Sequence, residues 1–317
     1  MKTPRFWQSR NAASTALLPA AALYGLGAWA DRTFTTPRRA PVPVVSIGNA
    51  TVGGAGKTPT TIALVPLLRA MGHTPHILTR GYGGADLSAH HVTTTDTWQQ
   101  VGDEALLLAH AAPTWVGRDR LASAHAAAAE GATILLCDDA LQHHALARDL
   151  SLLVIDGAYG IGNGRLLPAG PLRESLHSAA ARSDAVILLG ADAHHLIPQL
   201  HLPTITAEVR YTGDPAFLTR TKWLAFAGIG RPEKFFATLR ALGAELVATR
   251  AFGDHHPYSD ADMEALRQHA AAMGASLITT SKDHVKLPAS SASQIVRLPV
   301  ELVWQDMSAL RILLEKL

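Results

Sequence analysis

The sequence predicts an α/β fold: a mainly parallel sheet with flanking helices, a second and smaller α/β unit after it, and an apolar, basic helix before it. Three observations predict this. Short apolar runs rich in β-branched residues (PVVSIGN, HILTRGY, TWVGR, TILLCDDA, LSLLVIDG and AVILLG) recur at intervals suited to helical crossovers, the pattern of strands buried on both faces. Segments such as TTIALVPLLRAMG, AHAAAAEG and ESLHSAAARSD supply helices between them. The pattern then loosens over residues 196–222, where LPTITAEVRYTGD reads as a strand pair or linker, and a second series begins.

That second series holds WLAFAGIG, a helix from Pro232 to Leu242 closed by Gly243, and ELVATRAFG. A helix from about Ser259 to Met273 closed by Gly274, then SLITTSKD and IVRLPVELVW, complete it. Glycine after a last turn and Ser or Asp before a first one are stop and start signals. The expected units are residues 1–40 for the N-terminal helix, 41–215 for the main sheet and 216–317 for the smaller one.

Composition narrows the class. With 28 Lys and Arg against 26 Asp and Glu, no global basic field argues for nucleic acid, so an anionic partner must be met by a local cluster. The single cysteine, Cys137, excludes an intrachain disulfide and a zinc site built from several thiolates, and it sits in an apolar run that reads as core. Adjacent histidines begin at positions 90, 143, 194 and 255, without a helical ligand spacing and supporting acid that would mark zinc.

After Lys2, Arg5 and Arg10, the run from Ala12 to Ala30 carries no charge, and Asp31 and Arg32 close it. A spanning helix needs about 20 apolar residues. The length fits, but the run is rich in Ala and Gly and contains Ser14, Thr15 and Pro19. A signal peptide agrees poorly with the motifs that follow. The expected element is an interfacial helix with Phe6, Trp7, Leu17, Leu18, Leu23, Tyr24, Leu26 and Trp29 at the headgroup boundary and flanking Arg and Lys on anionic lipid. The alternative is an amphipathic helix packed on its own domain.

Residues 48–60, GNATVGGAGKTPT, lie after the first strand and before a helix. Thr51, Val52, Gly53, Gly54, Ala55, Gly56, Lys57 and Thr58 form a loop whose backbone N–H groups can converge on phosphate, helped by the helix N-terminus. Lys57 stands at the offset that reaches the β- and γ-phosphates of a nucleotide, and Thr58 offers its hydroxyl to Mg²⁺. The general P-loop pattern has glycine where Thr51 stands, so the match is one residue short. TILLCDDALQHH adds a strand ending in paired acids, with Asp138 the leading Mg²⁺ ligand and Asp139 its partner or orienter. Loop and acids together define a P-loop NTPase-type sheet. Arg80, Arg118 and Arg120 follow strands, while Arg165 and Arg173 lie in a Gly- and Pro-rich loop; Arg80 and Arg173 are the candidates for substrate phosphate.

TVGGAGKTP, QVGDEALLLA, CDDALQHH, NGRLLPAGPLRES, FGDHHPY and TTSKDHVKL occur in the order and character of the tetraacyldisaccharide 4'-kinases of lipid A biosynthesis, which the chain resembles from its first residues to about Leu287. In that family the loop also looks like TVGG, a small residue and GKT, so Thr51 departs from the general pattern and not from the family's. The resemblance implies ATP and Mg²⁺ as cofactors. It implies γ-phosphate transfer to the 4'-hydroxyl of a lipid-linked glucosamine disaccharide 1-phosphate at the cytoplasmic face of the bacterial inner membrane. It also implies Asp103 as the base that takes the hydroxyl proton, with His255 as its partner, a role the adjacent His256 could share; an imidazole can orient a carboxylate and share the proton. Without the resemblance Asp103 reads as a helix-opening acid favoured by the dipole. TTSKD is similar to the base-reading loop of some P-loop proteins but falls in the second unit, and no contact is assigned to it. A different P-loop ATPase or ligase, or a membrane scaffold with a vestigial loop, are the alternatives; the first does not need the apolar N-terminus, and the second needs neither Lys57 nor Asp103.

Overall fold

The computed structural model describes residues 4–85 and 88–317. Lys2 and the side chain of Arg5, expected as part of the basic flank, lie outside the described residues. In chain order the strands are β1 (Val44–Gly48), β2 (Pro75–Thr79), β3 (His90–His91), β4 (Thr114–Val116), β5 (Ile134–Cys137), β6 (Leu150–Asp156) and β7 (Ala185–Leu189). They continue with β8 (Thr204–Tyr211), β9 (Lys222–Ala227), β10 (Glu245–Ala251), β11 (Ser276–Thr279), β12 (Val296–Arg297) and β13 (Val300–Trp304).

Nine strands form one sheet in the order β13-β8-β7-β6-β1-β5-β2-β4-β3. All its pairings are parallel except the outermost, β13 on β8 and β3 on β4. Every residue of β1, β2, β5, β6 and β7 is buried, as continuous apolar runs require when helices cover both faces. The chain reverses its winding at β1, which lies between β5 and β6. The carboxyl ends of these three strands deliver the glycine-rich loop, Asp138 and Asp156, at the position where open parallel sheets bind ligands.

The second sheet is parallel, in the order β10-β9-β11-β12, around Trp223, Phe226 and Phe236. Ser259 caps the helix Asp260–Ala272 through a reciprocal bond with Asp262, close to the expected start.

Two segments differ from the sequence reading. LPTITAEVRYTGD contains one long strand, β8, and not a strand pair. IVRLPVELVW is divided: β12 extends the second sheet, whereas β13 pairs antiparallel with β8 in the first. Pro299 explains the division, since it cannot donate to a ladder and fixes its own φ. Residues 300–317 therefore build the first sheet's edge, and Leu302, Leu310 and Leu314 join its core instead of the second unit's.

The N-terminal run is broken into helices Ala12–Ala16 and Leu18–Phe34. Pro19 falls in the first turn of the second helix, where its missing N–H costs nothing, so it starts a helix instead of kinking one. Only Ala21 of this helix is buried. Trp7 donates to the Pro168 carbonyl and Arg165 to the Ser14 and Thr15 hydroxyls, at 2.9–3.0 Å, which seats the element on the loop after β6.

Candidate active site

The loop after β1 opens onto a cleft of about 1710 Å³ between the two sheets. Gly53 and Gly56 have φ of +104° and +93°, a region that other residues enter only under strain. A Cβ at Gly56 would also lie 2.1 Å from Leu189 Cδ1. Gly56→Ala is accordingly expected to weaken nucleotide binding and lower the melting temperature by several degrees, roughly 1–3 kcal/mol; an unchanged melting curve would remove this constraint.

Thr51 is buried and has no positive φ, which is why a glycine is not needed there. It forms a backbone bridge to Leu172, and its hydroxyl accepts from Asn49 Nδ2 at 3.1 Å. Asn49 in turn accepts from Lys57 Nζ at 3.1 Å, so the lysine is aimed by an amide the sequence reading did not select. Its position as the last residue of PVVSIGN was the available signal.

Asp138 is fully buried at the end of β5. It accepts from the Thr61 hydroxyl at 2.8 Å, and the Thr58 hydroxyl lies 3.4 Å away. Burial, with Glu104 and Asp139 nearby, pushes its carboxyl up to about 7. Asp139, with φ of +48°, behaves oppositely. Burial would raise it, but Lys57 at 3.6 Å and Arg173 at 2.9 Å hold it at about 2. In the protein free of divalent ions, Asp138 binds a proton in the folded state that the unfolded chain releases above pH 4. Its contribution to stability is therefore present below pH 4 and lost as pH rises toward 7. Asp138→Asn should melt a few degrees above the parent at pH 8 without divalent ions and show no such advantage at pH 4, by thermal denaturation.

Of the arginines, Arg80, Arg118, Arg120 and Arg173 line the cleft; Arg120 is also largely buried and donates to the Asp138 and Asp139 carbonyls at 3.0 and 3.2 Å. Arg120 thereby holds the acidic turn in shape. Arg165 binds the N-terminal element, as described above.

Asp103 and His255, which are 152 positions apart, meet across the two sheets: His255 Nδ1 lies 2.9 Å from Asp103 Oδ2 and 3.2 Å from Oδ1. Asp103 opens the helix Asp103–Ala109, is 2% exposed, and accepts from the Glu104 N–H. Burial would raise its pKa, but His255, Lys282 and Lys286 together hold it below the ordinary value. His255 takes φ of +57° and lines the cleft, with Tyr82 against its ring at 5.2 Å. Among the described residues, two of the five non-glycine residues with positive φ are thus candidate site residues, where such strain is expected to collect.

Several further groups complete the junction. TTSKD, given no contact from sequence, places Lys282 Nζ 3.0 Å from Glu104. Arg231 donates to the Gly54 carbonyl and, at 2.6 Å, to Asp156; Lys234 reaches the same carboxylate at 2.7 Å. Gln142, inside CDDALQHH, donates to the Asn49 carbonyl and to Glu174 at 2.9 Å. Arg231 and Lys234 carried no sequence signal, because their partner Asp156 is 75 or more positions away.

A phosphate loop on a parallel sheet, with a buried acid beside it and a carboxylate–imidazole pair across the cleft, defines a P-loop phosphotransferase. Comparison with known proteins narrows this. A family model described as tetraacyldisaccharide-1-P 4'-kinase matches residues 13–317. A tetraacyldisaccharide 4'-kinase of Paramagnetospirillum magneticum is 46% identical, with 100% of this chain and 99% of that protein covered. One of Jannaschia sp. is 47% identical over 96% of each. The crystal structure of LpxK from Aquifex aeolicus in complex with ATP superposes with a TM-score of 0.77 at 27% identity, covering 96% of this chain and 98% of that one. The chain belongs to the tetraacyldisaccharide-1-phosphate 4'-kinase family, as the six motifs implied.

Proposed function

We propose that the chain transfers the γ-phosphate of ATP to the 4'-hydroxyl of a tetraacylated glucosamine disaccharide 1-phosphate, using the loop at 51–58 and the Asp103–His255 pair. The meeting of Asp103 and His255 in the cleft that holds the loop is the observation that carries this reading. Lys57, fixed by Asn49 and Asp139, presents its ammonium where phosphate charge would accumulate. Arg173 shares the Asp139 carboxylate and borders the same space, which suits a second phosphate contact.

The residues present fit a magnesium ion. Among the described residues, no three His, Cys, Asp or Glu side chains form a metal cage. Mg²⁺ at a phosphate site needs only one or two carboxylates, with the rest of its shell from phosphate and water. Thr58 and Asp138 offer such an all-oxygen pair, and a carboxyl that keeps its proton near pH 7 is one a cation would complete. When bound, the ion would neutralise charge shared by the β- and γ-phosphates.

An alcohol attacks more readily when a placed base takes its proton. Of the pair, His255 faces the cleft and Asp103 lies behind it. The pair therefore works as a unit: the imidazole edge receives the hydroxyl proton, and the buried carboxylate fixes the ring and stabilises the imidazolium that forms. The second sheet, with residues 215–298 around it, acts as the lobe that brings His255, Arg231 and Lys282 over the loop and excludes water. Purified protein with Mg²⁺ should phosphorylate the tetraacylated disaccharide 1-phosphate from ATP, and Asp103→Ala should not; absence of transfer by the parent protein would overturn the assignment.

The acyl chains of that substrate place the work at a membrane surface. Among the described residues, no helix is long and apolar enough to cross a membrane. The helix Leu18–Phe34 nevertheless leaves Leu23, Leu26, Trp29 and Phe34 exposed by 48–78%. Such a face, on a helix with Arg32 in its last turn, suits insertion at the headgroup boundary of the cytoplasmic leaflet of the inner membrane. Replacing Leu23, Leu26 and Trp29 together with Ser should weaken binding to anionic vesicles about tenfold or more without lowering the melting temperature. Equal sedimentation with vesicles would count against the surface.

A further inference from the structure

TTSKDHVKL places a fully buried cation against the Asp103–His255 pair, and nothing in the mechanism above uses it. The Lys286 side chain is 0% exposed; its Nζ lies 3.0 Å from Asp283 Oδ1, 3.7 Å from Asp103 Oδ2 and 3.3 Å from the Gly228 carbonyl. The Tyr258 ring covers it at 5.4 Å. Asp283 is equally buried, and its second oxygen accepts from the Thr280 hydroxyl at 2.7 Å. Asp283 alone could neutralise this lysine within its own turn. The ammonium instead stands between two carboxylates, one from each side of the cleft.

We infer that Lys286 is a positioning residue for phosphoryl transfer: its charge keeps Asp103 ionised and turned toward His255 Nδ1, which fixes the imidazole with its other nitrogen toward the cleft. The inference rests on the proposed role of the pair. Position and charge both support it. Asp103 is almost free of solvent, so without a nearby cation its carboxylate would hold a proton more readily and its bond to the ring would weaken. The other charged or titratable groups facing the pair are accounted for. Lys282 also draws the Asp103 carboxyl down, from a partly exposed position where it is bound to Glu104 at 3.0 Å; Asp254 lies 3.9 Å from His255 Nε2, Tyr82 lies against the ring, and Asp283 and Tyr258 lie against Lys286. Lys286 is the one of these cations that is wholly enclosed, so solvent screens it least.

The test is the pH–rate profile of the full-length protein carrying Lys286→Gln, Lys286→Arg or Asp283→Asn. Lys286→Gln is expected to lower kcat about tenfold or more and to move the acid limb upward by about one pH unit, because a cation has been removed beside the pair. Asp283→Asn removes an anion and is expected to move the limb downward. Lys286→Arg keeps the charge and should leave the limb in place, and the KM for ATP should stay within about twofold throughout. Shifts of opposite sign are not available to a residue that only braces the fold. If Lys286→Gln does not fold, the downward shift in Asp283→Asn carries the test. A limb that stays at its original pH in the folded variants overturns the inference. The underlying role of the pair fails separately, if Asp103→Asn retains full activity.

Discussion

Asp103→Asn and His255→Ala are each expected to lower kcat by about 10²–10⁴-fold, and the double variant to be no slower than the worse single one. The reason is that, in the mechanism proposed above, the two side chains act as one base. Asp103 is buried and cannot itself meet a bulky sugar in this arrangement, while His255 without Asp103 loses the partner that fixes which ring nitrogen is free. Asn preserves the size of Asp103 but offers no full negative charge to the imidazolium, so the loss should appear in kcat much more than in the KM for ATP. Added imidazole should restore part of the activity of His255→Ala and none of that of Asp103→Asn. Additive losses, multiplying in the double variant, would show that the residues act independently.

Lys57→Met is expected to reduce kcat on the order of 10³-fold. Lys57 is 9% exposed and held from both sides by Asn49 and Asp139, so its ammonium is already oriented when phosphate arrives. Such a preset charge stabilises the transferring group without reorganisation. Arginine should not rescue it, because a planar fork does not fit a space shaped for a compact ammonium. The variant should stay folded, since Arg173 continues to pair with Asp139. Loss of less than tenfold in a steady-state assay would remove Lys57 from direct phosphate contact.

Much of this could be read from the sequence for physical reasons that can be named. Strands buried on both faces are apolar along their whole length, so β1, β5, β6 and β7 stood out as unbroken runs. The glycine loop was legible because its backbone geometry restricts which residues can occupy it. The split of IVRLPVELVW was not, since Pro299 marks an interruption without saying which sheet each half will join. Asp103 and His255 were named through the family resemblance; as isolated residues they were a helix-opening acid and one histidine among sixteen. Lys282, Lys286, Arg231 and Lys234 escaped because each acts on a carboxylate far away in sequence. A buried lysine and a surface one look alike until the fold supplies the partner.

The passage of the chain between the sheets carries a mechanical consequence. It leaves the first sheet after Tyr211 and returns at Val300, and these two residues are direct partners on neighbouring antiparallel strands. Two straps anchored side by side on one edge would act like the paired pins of a door, favouring swing about one axis over twist or sideways slide. His255 would therefore approach Asp103 along one arc, and the angle of that swing alone would decide whether the kinase has a base.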